Sequence, residues 1–278
     1  MTSDPFDPSR AVELPPDIAV ALEWSRPERG PFGTPIFYVP DTGSTNDAAS
    51  RLALAGAAEG TTVVAESQTS GRGRQGRIWA SPAGAGLYVS TIVRPGPGDR
   101  DARAIPSALT LMAGVALAEG IREATGLCPD IKWPNDLMVG RRKLAGILAE
   151  ASATGTALEY VVLGFGINLR EAAYPPEVAA RATSLESELG RAVDRGAVLA
   201  RSLVHLARVR QALASGQIGP VLQRWRELAP AAEGAPVEWS VGGHARRGRT
   251  AGLDDDGALR VAIEDRIERV RAGEIIWL

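Results

Sequence analysis

The chain holds 29 arginines and two lysines, Lys132 and Lys143, eleven positions apart. Surface positive charge is normally shared between the two residue types, so a lysine kept against this bias points to a site that needs a compact, rotatable ammonium. A second concentration of charge is the stretch Gly71–Arg77, which reads GRGRQGR. Its glycines let the backbone approach a ligand, its amides can hold carboxylate or phosphate oxygens, and Arg72, Arg74 and Arg77 add planar donors for the same anions. The stretch satisfies the spacing GxGxxG, but a dinucleotide fingerprint needs a helix opening on its last glycine. Ile78, Trp79, Ala80, Ser81 and Pro82 follow here and exclude one. What remains is a loop that closes over a small anionic ligand and shuts out water, a solvated basic turn, or an arginine-glycine patch for RNA.

Lys132 opens the run KWPNDL and Lys143 opens KLAGILAE. A strand ending at Pro134, the polar pair Asn135 and Asp136, a turn at residues 140–142 and a strand starting at Lys143 describe a hairpin. Its mouth collects Lys132, Asn135, Asp136 and Lys143, although the Asn-Asp pair taken by itself is ordinary turn chemistry. GFGIN, residues 164–168, ends another β-rich run. Its two glycines either strip side chains from a surface on which a flat ring could lie or mark a bulge, and Asn168 offers a donor and an acceptor.

These segments need a scaffold. Residues 1–34 are proline-rich and without sustained periodicity, which suggests a poorly ordered arm with one short helix near 18–24. Strands are expected at 35–39, 61–66, 86–94 and from 130. Two long β-runs, 143–151 and 158–169, are joined through 153–156 tightly enough to require antiparallel pairing. Ser44, Thr45 and Asn46 offer capping oxygens to a helix reaching about Ala55. Residues 102–125 read as a long amphipathic helix, and 184–188, 195–214 and 218–228 as further helices. From 236 to 278 the texture changes to short strands with turns. The fold class is therefore α+β, a mixed or mostly antiparallel sheet with flanking helices over 35–233, followed by a small C-terminal β-barrel over 234–278.

With 278 residues, 45% hydrophobic and 23% charged, the chain is ordinary globular material. A net charge of −2 excludes binding of nucleic acid or anionic membrane by bulk charge. Cys128 has no partner for an internal disulfide, and two histidines with one cysteine cannot build a usual zinc site. No run approaches the roughly 18 consecutive apolar residues of a membrane span. The first residues lack the basic start and apolar stretch of a secretion signal, so the cytoplasm is the expected compartment.

Four ordered segments, DTGSTN (41–46), ESQTSGRGRQGRIW (66–79), KWPNDLMVGRRKLAGILAE (132–150) and GFGINL (164–169), resemble those of biotin protein ligases, or biotin–[acetyl-CoA-carboxylase] ligases. The resemblance implies a class II synthetase-like catalytic domain with an SH3-like C-terminal barrel. It also implies a reaction in two steps. Biotin and MgATP give biotinyl-5′-AMP and pyrophosphate, and the biotinyl group then passes to one lysine of a biotin carboxyl carrier domain.

By motif position, Ser44, Thr45, Asn46 and Gln68 would bind the ureido ring, and Arg72, Gly73 and Arg74 would close over the ring and carboxylate together with Lys143. Trp79 would stack on adenine, with Arg77, Lys132, Asn135, Gly146, Gly164, Gly166 and Asn168 around the nucleotide. Lys143, Arg77 and Asp136 would serve the chemistry. Asp136 would touch the metal, fix Lys143 or, as the favoured reading, steer the acceptor amine; no metal ligand is assigned. The carrier could meet Arg246, Arg247 and Arg249, which equally read as solvated strand residues. The space before residue 35 is too short and broken for the DNA-reading domain of regulatory family members, so no repressor role is expected. A lipoate or octanoate ligase and a non-catalytic biotin sensor are the alternatives.

Overall fold

The computed structural model describes residues 11–96, 105–155, 157–271 and 273–278. Helix α1 (Pro16–Arg29) precedes β1 (Ile36–Thr42), α2 (Thr45–Leu54), β2 (Thr62–Gln68) and β3 (Gly86–Val93). Then come α3 (Ile105–Thr125), β4 (Asp130–Lys132), β5 (Asp136–Val139), β6 (Arg142–Thr154) and β7 (Ala157–Asn168). The seven strands form one sheet in the order β1-β2-β3-β7-β6-β5-β4. Only β1 and β2 run parallel, joined by the α2 crossover, and the other neighbours are antiparallel. The mixed sheet inferred from the tight β6–β7 connection is thus present.

Side chains alternate between faces of a strand, and the two faces of this sheet differ. Leu87, Val89, Ala145, Ile147 and Ile167 join the main core with α3. The other face carries Val63, Ala65, Ile92 and Val162 under α2 at one end. Further along, the register aligns Gly146 with Gly166, Gly166 with Tyr88, and Gly164 with both Leu148 and Ser90. A strip of bare backbone results, with α2 beside it.

Helices α4 (Leu185–Leu189), α5 (Arg195–Ala214) and α6 (Gly219–Leu228) follow. α3 is buried without a break from Leu111 to Ile121, which departs from the amphipathic pattern expected, because the sheet covers one side and α5 and α6 the other. Its length and mean hydropathy would suit a membrane span, but 72% of the apolar window is buried, as in a core helix.

The 1–34 region departs further from expectation. Residues 1–10 lie outside the described residues, whereas α1 is a regular helix that packs on α5 through buried Ile18 and Leu22. Pro16 stands at its start, where the missing N–H costs nothing, and Pro27 falls in the last turn.

The remaining strands are β8 (Glu233–Val241), β9 (His244–Leu253), β10 (Leu259–Ile263), β11 (Arg266–Val270) and β12 (Ile275–Trp277). They form a five-stranded antiparallel sheet in the order β11-β10-β9-β8-β12. Val237, Trp239, Leu253 and Val261 belong to the same buried cluster as Leu117 and Trp225, so the small sheet shares the core of the large one.

Candidate active site

One cavity lies over the glycine strip and collects all but one of the residues expected to meet biotin, the nucleotide or the reacting atoms. At its α2 end the N–H and hydroxyl of Thr45 both donate to Gln68 Oε1, at 2.9 and 3.1 Å. The Ser44 side chain makes no cap bond, so the amide oxygen of Gln68 caps α2 from across the cavity instead. Gln68 Nε2 in turn donates to Ser81 Oγ at 2.8 Å. Beneath them the fully buried Ser90 hydroxyl sits 2.8 Å from Thr45 Oγ1 and donates to Asn46 Oδ1 across 2.6 Å. The Asn46 amide donates to Glu150 Oε2 at 2.5 Å. A Cβ at Gly164 would stand 2.0 Å from Asn46 Oδ1, so this glycine makes room for the asparagine. Gly164 therefore serves the hydrogen-bonding end, where motif position had placed it with the purine.

The arginine-glycine stretch forms a flap across the opening. Its base is closed by a bridge between Arg72 and Ile78 and by the Gly73 N–H donating to Arg77 O at 2.7 Å. Its tip is a 3₁₀ turn, Arg74–Gly76, in which Gln75 adopts φ +57 and Gly76 φ +72. On one side the Arg72 guanidinium takes both oxygens of Asp47 at 2.7 and 2.8 Å and one of Glu150 at 3.0 Å. Asp47 above all, with Glu150, holds this guanidinium above its usual pKa. On the other side Arg77 pairs with Glu274, just before β12. The same pair pulls the Glu274 carboxyl below its ordinary range. Half-buried Arg74, between them, reaches Asn135 Oδ1 at 3.3 Å.

Trp79 lies over the strip. A Cβ at Gly166 would stand 2.4 Å from its Nε1 and one at Gly146 3.0 Å from its Cζ3, so both glycines are needed for the ring to lie down. Its buried Nε1 has no hydrogen-bond partner. Lys143 passes over Gly146 with Nζ 5.3 Å from the Trp79 ring centroid and 2.7 Å from Asp136 Oδ1. A register shift between Leu137 and Met138 lets the Lys143 side chain return toward Asp136, although the backbone aligns Lys143 with Met138. The expected single hairpin is thus two. β4 and β5 turn through 133–135, β5 and β6 through 140–141, and Lys132 faces Asp136 across the first. Burial lowers the Lys132 pKa from lysine's usual value.

Asn168 is the exception. It is buried outside the cavity lining, donating to Thr183 O at 2.9 Å and to Lys143 O at 3.4 Å, so it buttresses the backbone of Lys143. Arg246 and Arg247 are neutralised by Glu268 and Glu238, and Arg249 donates to Gly234 O, all within the small sheet. Sequence reasoning missed Ser90, the pairing of Asp47 and Glu150 with Arg72, and the contribution of Gly273, Glu274 and Ile275 to the cavity wall. Glu150 was within reach, since it closes the KLAGILAE run on the same strand face as Gly146 and Leu148.

A family model described as the biotin/lipoate A/B protein ligase family matches residues 38–168. The bifunctional ligase/repressor BirA of Bacillus subtilis is 34% identical over 246 residues, covering 88% of this chain and 74% of that one. The biotin–[acetyl-CoA-carboxylase] ligase of Paracoccus denitrificans is 37% identical over 227 residues, covering 78% and 90%. Among solved structures, the biotin protein ligase from Aquifex aeolicus in complex with biotin and ATP superposes with a TM-score of 0.74 at 28% identity, covering 87% of this chain and 97% of that one. The chain belongs to the biotin protein ligase family, and is an ATP-dependent ligase.

Proposed function

We propose that this protein, acting in the cytoplasm, joins biotin to ATP as biotinyl-5′-AMP and transfers the biotinyl group to one lysine of a biotin carboxyl carrier domain of a carboxylase. The observation that carries the reading is the single cavity in which a hydrogen-bonding end, a bare strip under an indole ring and two lysines follow one another. Thr45, Gln68 and Asn46 supply donors and acceptors matched to a ureido ring, with Ser44 beside them. An acyl tail without such a ring, as in lipoate or octanoate, has no donor or acceptor to offer these groups, which would bond only to their protein partners.

In the first step a carboxylate oxygen of biotin attacks the α-phosphorus of ATP. The bond to the bridging oxygen breaks and pyrophosphate leaves. Two anions must meet, and Lys143 neutralises the charge developing between them in this reading, an effect commonly worth about 3–4 kcal/mol. Its 2.7 Å contact with Asp136 favours the reading in which Asp136 fixes Lys143. Lys132, Arg74 and Arg77 meet the phosphates, and the Trp79 ring stacks on the purine. Among the described residues no cluster of three metal-binding side chains occurs, and Asp136 and Glu274 are the only carboxylates lining the cavity. That suits Mg²⁺ arriving as MgATP, held mainly by its phosphates. In the second step the acceptor amine attacks the acyl carbon, the bond to the phosphate oxygen breaks and AMP departs, the amine's proton passing to solvent. Pyrophosphate exchange into ATP that requires biotin tests the first step; a sensor would bind both ligands without exchange.

A further inference from the structure

Lys132 is half-buried, and among the described residues its one direct partner is the ring of Trp277, with Nζ 5.1 Å from the centroid. The nearby carboxylates are engaged elsewhere, Asp136 with Lys143 and Glu274 with Arg77. An aromatic face attracts an ammonium without cancelling its charge or occupying its N–H groups as a carboxylate does. Lys143 also lies over a ring, that of Trp79, yet has a counter-ion as well.

Trp277 is itself held firmly. It pairs with Val237 across β8 and β12, Arg141 donates to its carbonyl at 3.1 Å, and the Leu278 N–H donates to Pro236 O at 3.1 Å. We infer that Trp277 is a positioning residue for the nucleotide half of the reaction: its ring holds the Lys132 ammonium at the cavity wall with its donors free for triphosphate oxygens. The inference rests on the ligase reading above. It gives the small sheet a second contact with the chemistry, beside Glu274.

The experiment measures biotin-dependent pyrophosphate exchange for the full chain, with ATP and biotin titrated separately. The variants are Trp277→Leu, Trp277→Phe, Lys132→Gln and the double variant Lys132→Gln with Trp277→Leu, with urea midpoints recorded for each. Trp277→Leu is expected to raise KM for ATP about fivefold, the scale of a partly desolvated cation–π contact, with KM for biotin unchanged. Trp277→Phe should recover most of the loss. In the Lys132→Gln background Trp277→Leu should add nothing, a result that a merely structural role would not give. Trp277→Met, which keeps apolar bulk without a π face, gives the same reading if Trp277→Leu unfolds. Exchange in the unaltered protein combined with additive effects in the double variant, or with equal losses for ATP and biotin, overturns the role of Trp277 alone. Absence of exchange in the unaltered protein removes the ligase reading and this inference with it.

Discussion

Trp79 lies against Gly166 so closely that a Cβ there would stand 2.4 Å from the indole nitrogen, whereas a Cβ at Gly164 would meet Asn46 Oδ1 instead, at 2.0 Å. Two glycines two positions apart on β7 thus serve two different halves of one cavity. Gly166→Ala should displace the ring and raise KM for ATP roughly tenfold or more, on the scale of an overpacked core position. Gly164→Ala should displace the asparagine and raise KM for biotin by a similar factor. Steady-state titration of each substrate separates the two, and a loss shared equally between substrates in both variants would contradict the division.

The flap is held by ion pairs at its edges. Arg77 and Glu274 are 61% and 39% exposed, so solvent and salt screen the pair. Glu274→Gln should weaken retention of the adenylate by roughly twofold to fivefold at low salt. The difference should shrink at high salt. Because Arg77 holds the Glu274 carboxyl below its usual range, the pair is fully formed above the ordinary glutamate value and is lost as pH falls through the lower one. Dissociation of labelled adenylate, followed against salt and pH, provides the check, and a salt-independent effect would count against an ionic latch.

Ser90 is fully buried, and its hydroxyl serves both Thr45 and Asn46. Ser90→Ala leaves the Asn46 oxygen without its donor, a loss of about 1–3 kcal/mol. Biotin affinity should fall with it and ATP affinity should not, as calorimetric titration of each ligand would show.

What the sequence made legible follows from where each signal is local. The glycine stretch, KWPNDL, KLAGILAE and GFGIN are short runs whose chemistry is written in neighbouring residues, and the cavity collects residues from each. Ser90 sits inside the apolar run LYVSTIV, where a small hydroxyl carries no pattern, and its role comes only from α2 lying against β3. Glu274 is about two hundred positions from Arg77, and no periodicity reports so distant a pairing. The prolines of residues 1–34 were read as breakers, yet Pro16 occupies a helix start, and Ile18 and Leu22, four apart, give α1 the buried edge that pins it to α5. Gly164 and Asn168 were placed by motif position, which does not say which face or neighbour a strand residue meets.

Lys132 gives a pH signature. Burial draws its ammonium below lysine's usual value, opposed by Asp136 and Glu274 and reinforced by Lys143 and Arg77. A lysine whose folded value lies below its unfolded one costs stability while protonated, and that cost fades as pH rises through the folded value. The binding charge is lost over the same range, so KM for ATP should climb on the alkaline side before that of an exposed lysine site would. Lys132→Arg, which stays protonated, should flatten the rise; an identical alkaline limb in that variant would assign the titration elsewhere.

The central claim is that Lys143 carries charge between an acid and a nucleotide during acyl transfer. Mass spectrometry of a biotin carboxyl carrier domain incubated with the protein, biotin and MgATP tests it most directly, alongside Lys143→Ala. The account predicts one biotinyl group on a single lysine, dependent on ATP, and a loss in the variant of roughly a hundredfold to a thousandfold in rate. An unmodified carrier, or modification at an undiminished rate by the variant, would contradict it.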